Sequence, residues 1–235
     1  MRKLLLLACI SAAFLAAQDL PPSSVPSTSA PTDELAPGPY HIVGVKPPTI
    51  IRKVEPQYSR EARLVRLQGT VLLNVIIVPS GRATDFKILK SVGLGLDESA
   101  IAAVGQWQFR PGTKDGQPVN VLAKIEVNFR MLDKDSKPRW GVTRANFLTA
   151  DGTIRPVIDK VVAPHVARDA TVATATANFD VNEKGEPVNI TITGTSEAKW
   201  GGDTADALKK WKFIPGAQNG RPVTVACTME FNRGY

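Results

Sequence analysis

Trp107-Gln108-Phe109-Arg110-Pro111, followed by Gly116-Gln117-Pro118-Val119, returns later as Trp211-Lys212-Phe213-Ile214-Pro215, followed by Gly220-Arg221-Pro222-Val223. Every residue the two stretches share keeps a spacing of 104 positions, and Gly81 and Gly185 keep it too. A repeat of this length is an ordinary domain size, so the chain reads as two copies of one small domain. The copies share packing and turn residues and no set of catalytic groups. That predicts a binding module and not an enzyme.

Working outward from the first copy, the pattern predicts a short helix entered at Pro56-Gln57-Tyr58-Ser59-Arg60-Glu61-Ala62, with Ser59 as its N-cap. Residues 70–78 are rich in Val, Leu and Ile and read as a buried strand. Pro79-Ser80-Gly81 turns the chain into a second strand over 83–91. Gly93 and Gly95 read as a flexible turn before Asp97, the expected N-cap of a helix through Trp107. A third strand over 119–129 alternates strictly. Val119, Val121, Ala123, Ile125 and Val127 take one face; Asn120, Lys124, Glu126 and Asn128 take the other, with Leu122 between them.

The second copy opens less clearly. Pro164 interrupts the place of the first helix, and 173–182 reads as a strand rich in Thr and Ala. Gly185 closes a hairpin, 189–193 returns, Asp203 or Thr204 caps a helix ending at Trp211, and 223–231 is the last strand. Ala and Thr replace bulkier residues, so this core is expected to lean on the first copy. The expected division is a signal peptide at 1–17, a Pro/Ser-rich linker at 18–40, the first domain at 41–131, a charged connector at 132–139 and the second domain at 140–235.

Arg2 and Lys3 precede an apolar run to Ala17 that ends in small residues, the pattern of a cleaved export signal. A retained membrane anchor is the rival, but the run falls short of the roughly 20 residues a spanning helix needs. Cleavage would remove Cys9 and leave Cys227 alone on a buried strand face, where it reads as an inert core thiol. The formal charge of +7 is spread over scattered basic residues without runs, which argues against a nucleic-acid partner. His41 and His165 lie far apart without nearby Cys or paired carboxylates, so neither a metal nor another cofactor is expected.

The ordered elements of the first copy resemble the TonB C-terminal domain family, the periplasmic end of the energy transducer for outer-membrane transport. Those elements are Pro56-Gln57-Tyr58 with Ala62, Gly69-Thr70-Val71, Pro79-Ser80-Gly81-Arg82, Leu96-Asp97 with Ala100, and the Trp107 to Val119 signature. The second copy carries the resemblance only from Gly185 onward. The resemblance implies an α+β fold of two tandem small domains, each a three-stranded antiparallel sheet with two helices on one face. It further implies that an extended segment of an outer-membrane receptor, a TonB box, adds as a strand beside the domain's last strand. Carried onto this chain, the receiving edge is 120–128, namely Asn120, Val121, Leu122, Ala123, Lys124, Ile125, Glu126, Val127 and Asn128, with Gln57 and Tyr58 beside it. Ser59 stands where the family's Gln-Tyr-Pro element has its proline.

Three readings stay open. The first is an exported periplasmic protein that binds envelope-protein segments by strand addition, accessory to TonB-dependent transport, touching membranes only through partners. The second is a membrane-anchored transducer working with ExbB–ExbD. The third is a structural module in which copies pair edge to edge, giving a homodimer.

Overall fold

The computed structural model describes residues 44–131, 140–167 and 171–234. The expected signal peptide, linker and connector lie outside these residues, as do Cys9 and His41. The first half runs β1 (Thr49–Arg52), α1 (Arg60–Leu64), β2 (Gly69–Ile77), β3 (Ala83–Lys90), α2 (Leu96–Val104), β4 (Gln108–Arg110), β5 (Gly112–Lys114), β6 (Gln117–Val119) and β7 (Val121–Phe129). The second half runs β8 (Trp140–Leu148), β9 (Thr153–Ile154), β10 (Val157–Lys160), β11 (Ala173–Val181), β12 (Pro187–Thr195), α3 (Ala198–Leu208), β13 (Lys212–Ile214), β14 (Gly216–Gln218), β15 (Arg221–Val223) and β16 (Val225–Arg233).

The repeated residues form one interlock, which explains their shared spacing. Gly81 closes the β2–β3 hairpin with φ at 78°, and its carbonyl accepts from the Phe109 amide at 2.9 Å. A side chain there would bring its Cβ to 2.2 Å from the Phe109 carbonyl oxygen. Gly185 repeats the arrangement against Phe213, with the same hydrogen bond at 2.9 Å. Each tryptophan then ties this corner to the segment just past β1 or β10. Trp107 Nε1 donates to the Val54 carbonyl at 2.8 Å and Trp211 Nε1 to that of Val162 at 2.9 Å.

The first sheet has the order β3-β2-β7 and the second β12-β11-β16-β8, all antiparallel. The expected three-stranded sheet therefore holds for the first half but not for the second, which gains β8 as a fourth strand. The expectation of two helices per sheet also fails there, since α3 is the one helix among its described residues. The spacing between halves explains the loss. Thr49 of β1 corresponds to Val157 of β10, 108 positions on, whereas Gly69 of β2 corresponds to Ala173 of β11, 104 on. Four residues are missing where the first half builds α1 and its following turn.

Both expected helix caps on the aspartates are corrected. Gly95 precedes α2 with φ at 79°, while Asp97 turns back and accepts from the Val92 and Gly93 amides at 3.0 and 3.2 Å and from Ser91 Oγ at 2.5 Å. In the second half α3 begins at Ala198, ahead of Asp203 and Thr204, and ends at Leu208. Gly201 lies inside it because β12 is close: a Cβ would meet Ile192 Cγ2 at 3.3 Å. The helix ending at Trp107 likewise stops at Val104.

The halves form one core and not two. Buried residues of both belong to a single hydrophobic cluster, and the described chain lies within one compact unit. Glu61 of α1, 8% exposed, accepts from Nη1 and Nη2 of Arg155 at 3.0 and 2.6 Å and from the Ile158 amide of β10 at 2.8 Å. That contact raises the Arg155 pKa further, chiefly through the hydrogen bond to Glu61. Glu61→Ala leaves the Ile158 amide without its acceptor and the Arg155 guanidinium with the Pro156 carbonyl but no carboxylate, a loss of about 2 kcal/mol once the partial exposure of Arg155 is allowed for. Urea unfolding followed by tryptophan fluorescence is expected to show one transition at a lower midpoint; two separated transitions would contradict a shared core.

Candidate functional site

β7 is an edge strand, and that is the feature on which the candidate site rests. All nine residues pair with β2, from Gly69 opposite Phe129 to Ile77 opposite Val121. No described strand pairs with its outer side. Val121, Ile125, Val127 and Phe129 point into the core, with Ala123 partly buried among them. Lys124, Glu126 and Asn128 are exposed on the other face, with Leu122 half-buried. In an antiparallel ladder the main-chain groups of alternate residues face outward, so β7 offers a row of donors and acceptors to a further strand. Asn120 falls outside this row: it sits in the break between β6 and β7, where the expected continuous strand over 119–129 divides.

The two residues expected beside the edge separate. Tyr58 reaches it, with its ring edge-on to Phe129 at 5.5 Å and its hydroxyl donating to the Leu67 carbonyl at 3.1 Å. Gln57 is exposed and tied to α2, its carbonyl accepting from Ser99 Oγ at 2.5 Å. Ser59 is the N-cap the pattern predicts, accepting from the Ala62 amide at 3.0 Å.

The corresponding edge in the second half is closed by the chain itself. β8 pairs with β16 from Leu148 opposite Ala226 to Trp140 opposite Arg233, with a bulge between Glu230 and Phe231. Its outer side is held in turn by the first half. The Val142 amide donates to Val65, the Val142 carbonyl accepts from Gln68, and the Ala145 amide donates to Val92, all near 3 Å. Gly93, expected as a flexible turn, is fixed here: a Cβ would lie 2.0 Å from the Ala145 carbonyl oxygen. The sequence reading missed β8 because its inward residues change phase at the bulge. Trp140 and Val142 alternate, then Ala145 and Phe147 do so one position out of step.

Cys227 is buried opposite Phe147, and burial first, then Asp180, pushes its thiol above the ordinary range. Among the described residues, no group of three or more His, Cys, Asp or Glu converges as a metal site needs. No described helix is long and apolar enough to cross a membrane.

Burial at the Phe129 end pushes the Tyr58 phenol up from 10.0 to about 12. A folded-state pKa above the unfolded one gives stability that is full below about pH 10 and lost as the pH climbs through about 12. The urea midpoint of the wild-type chain is expected to fall more steeply across that window than that of Tyr58→Phe. Parallel curves would contradict a buried phenol.

A family model described as "Gram-negative bacterial TonB protein C-terminal" matches residues 54–131 and 164–232. The second match begins at Pro164, which corrects the expectation that the resemblance there starts only at Gly185. Over 87 residues the chain is 34% identical to "Protein TonB" of Vibrio cholerae, covering 37% of this chain and 36% of that one. Over 80 residues it is 30% identical to "Protein TonB" of Escherichia coli K12, covering 33% and 34%. The chain thus spans about a third of the length of these curated relatives. The solution structure of the Pseudomonas aeruginosa TonB C-terminal domain aligns with a TM-score of 0.32 at 26% identity, covering 42% of this chain and 97% of that one. With both halves matched and well over half of its residues covered, this chain belongs to the TonB C-terminal family.

Proposed function

We propose that this chain is a periplasmic binding protein, exported by residues 1–17, whose β7 edge takes up extended segments of outer-membrane or other envelope proteins by strand addition. On this reading it is an accessory of TonB-dependent transport. The first domain, 41–131, is the receiving unit, and the second, 140–235, is its structural companion. One observation carries the reading: the outer side of β7 has no strand partner among the described residues, while the matching side of β16 is filled by β8. Membership of the TonB C-terminal family and the relatives named TonB support the partner class. Main-chain ladders supply the affinity in this mode, at about 1 kcal/mol net per hydrogen bond less the ordering of the peptide. Micromolar or weaker binding follows.

The test is an amide-resolved NMR titration of the chain with a synthetic TonB-box peptide of an outer-membrane receptor. Saturable shifts are expected along 121–129 and at Tyr58, with β16 unmoved. A peptide N-methylated at the alternate residues facing β7 loses a ladder donor at each and is expected to bind at least tenfold more weakly, while methylation in the other register is tolerated. Shifts confined to β16, or none at saturating peptide, would overturn the reading.

A second reading has its own observation. Lys124 and Glu126 flank Ile125 symmetrically on β7, so two copies pairing antiparallel about Ile125 would set each lysine opposite the other copy's glutamate. Sedimentation equilibrium would then detect a dimer that Glu126→Lys weakens. A monomer at all concentrations would remove this reading.

A further inference from the structure

β8 shows, within the chain, how a fourth strand seats against the last strand of this domain, and the repeat allows that seating to be carried to β7. Residues 225–233 of β16 correspond one to one with 121–129 of β7 at the 104-residue spacing. Thr228 therefore corresponds to Lys124, Glu230 to Glu126 and Ala226 to Leu122. The facing is also shared: Ala226, Thr228 and Glu230 alternate with buried residues as Leu122, Lys124 and Glu126 do. On β8 the residue opposite Glu230 is Arg144, whose Nη1 lies 3.3 Å from Glu230 Oε1. Asn146 stands opposite Thr228, a neutral polar pair, and Leu148 opposite Ala226. The strands run antiparallel, so along β8 the order is basic residue, spacer, polar residue, spacer, apolar residue.

We propose that β7 selects, in antiparallel orientation, an extended segment of a partner protein carrying a basic residue opposite Glu126 and, two positions later, an acidic residue opposite Lys124. This deepens the strand-addition reading and rests on it. Glu126 retains the glutamate that pairs with Arg144 in the second half. Lys124 replaces the neutral Thr228, so the neutral Asn146 position becomes one that favours a carboxylate. An apolar residue then falls opposite Leu122. The stretch lying as far ahead of β1 as β8 lies ahead of β10, residues 32–40, contains Pro37 and Pro39, which carry no N–H to donate. Pro37 falls at the place of the β8 residue Ala145, whose amide donates to Val92. Cross-strand charge pairs at an exposed edge are weak singly and screened by salt, so they set preference among segments and not overall affinity.

Two synthetic peptides of one composition test this against the full chain: Gly-Val-Thr-Arg-Ala-Asp-Phe-Leu, built on β8, and the same peptide with Arg and Asp exchanged. NMR shifts along 121–129 are expected to saturate with the first at about tenfold lower concentration at low salt, two favoured pairs becoming two like-charge pairs in the second. High salt is expected to erase the difference, and the doubly exchanged protein, Lys124→Glu with Glu126→Lys, to reverse it. Both side chains are exposed, so that variant keeps the core. A spin label at the peptide N-terminus is expected to broaden amides near Phe129 and spare Val121. Equal binding of both peptides, or broadening at the Val121 end, would overturn the rule while leaving strand addition standing. No shift along β7 with either peptide, alongside a failed TonB-box titration, would remove both.

Discussion

The arrangement depends on one strand. β8 gives its inner side to β16, and on its outer side Val142 and Ala145 bond to the loops after α1 and β3 of the first half, so main-chain groups on both sides find partners within the chain. A buried main-chain donor or acceptor without a partner costs as much as a lost hydrogen bond. β8 therefore can occupy this position only when both halves are folded around it. Asp97 extends the constraint inward: by gripping Ser91, Val92 and Gly93 it sets the carbonyl of Val92 that receives the Ala145 amide. Glu61 and Arg155 fasten the far side of the same junction.

This gives one repeated unit in two conditions. An open sheet edge is a hazard, because any extended chain can add to it, and proteins commonly protect such edges with charge or cover. In the second half the cover is β8. In the first half it is charge, with Lys124 and Glu126 exposed on the strand and Asn128 held by Thr70 at 2.6 Å. The proposed division of labour rests on that difference: the covered edge contributes stability, and the charged edge, unpaired by any described strand, is the one offered to a partner. On β11, Ala175 and Ala177 stand where β2 has Val71 and Leu73, while Phe179 stands in place of Val75, so the second half's share of the common core is redistributed.

Much of this was legible in the residues. The Trp-x-Phe-x-Pro repeat with its distant glycine is one contact network, so it marked the domain twice, and alternation located β2, β7, β11 and β16 to within a residue or two. Signals that name a local geometry were less secure. Asp97 resembles a helix cap in sequence because caps and loop clamps use the same carboxylate, and only the position of Gly95 tells them apart. Asp203 and Thr204 read as caps, yet both lie within α3, where Gly201 fits because β12 presses against it. β8 was hidden by its bulge. The junction of Glu61 with Arg155 joins residues 94 positions apart in one chain and has no local pattern at all. At the site, the strand was readable and its availability was not, since that depends on which other segment reaches which edge.

The contrast between a closed and an open edge is the central claim, and native-state amide hydrogen exchange tests it most directly. Both sides of β16 are paired, so consecutive amides from Val225 to Phe231 should exchange slowly and together with those of β8 that donate to it. Along β7, alternate amides should exchange at rates near those of exposed turns while their neighbours, bonded to β2, stay protected. Uniform protection along β7 in a monomer, or fast exchange along β8 and its β16 partners, would contradict the account.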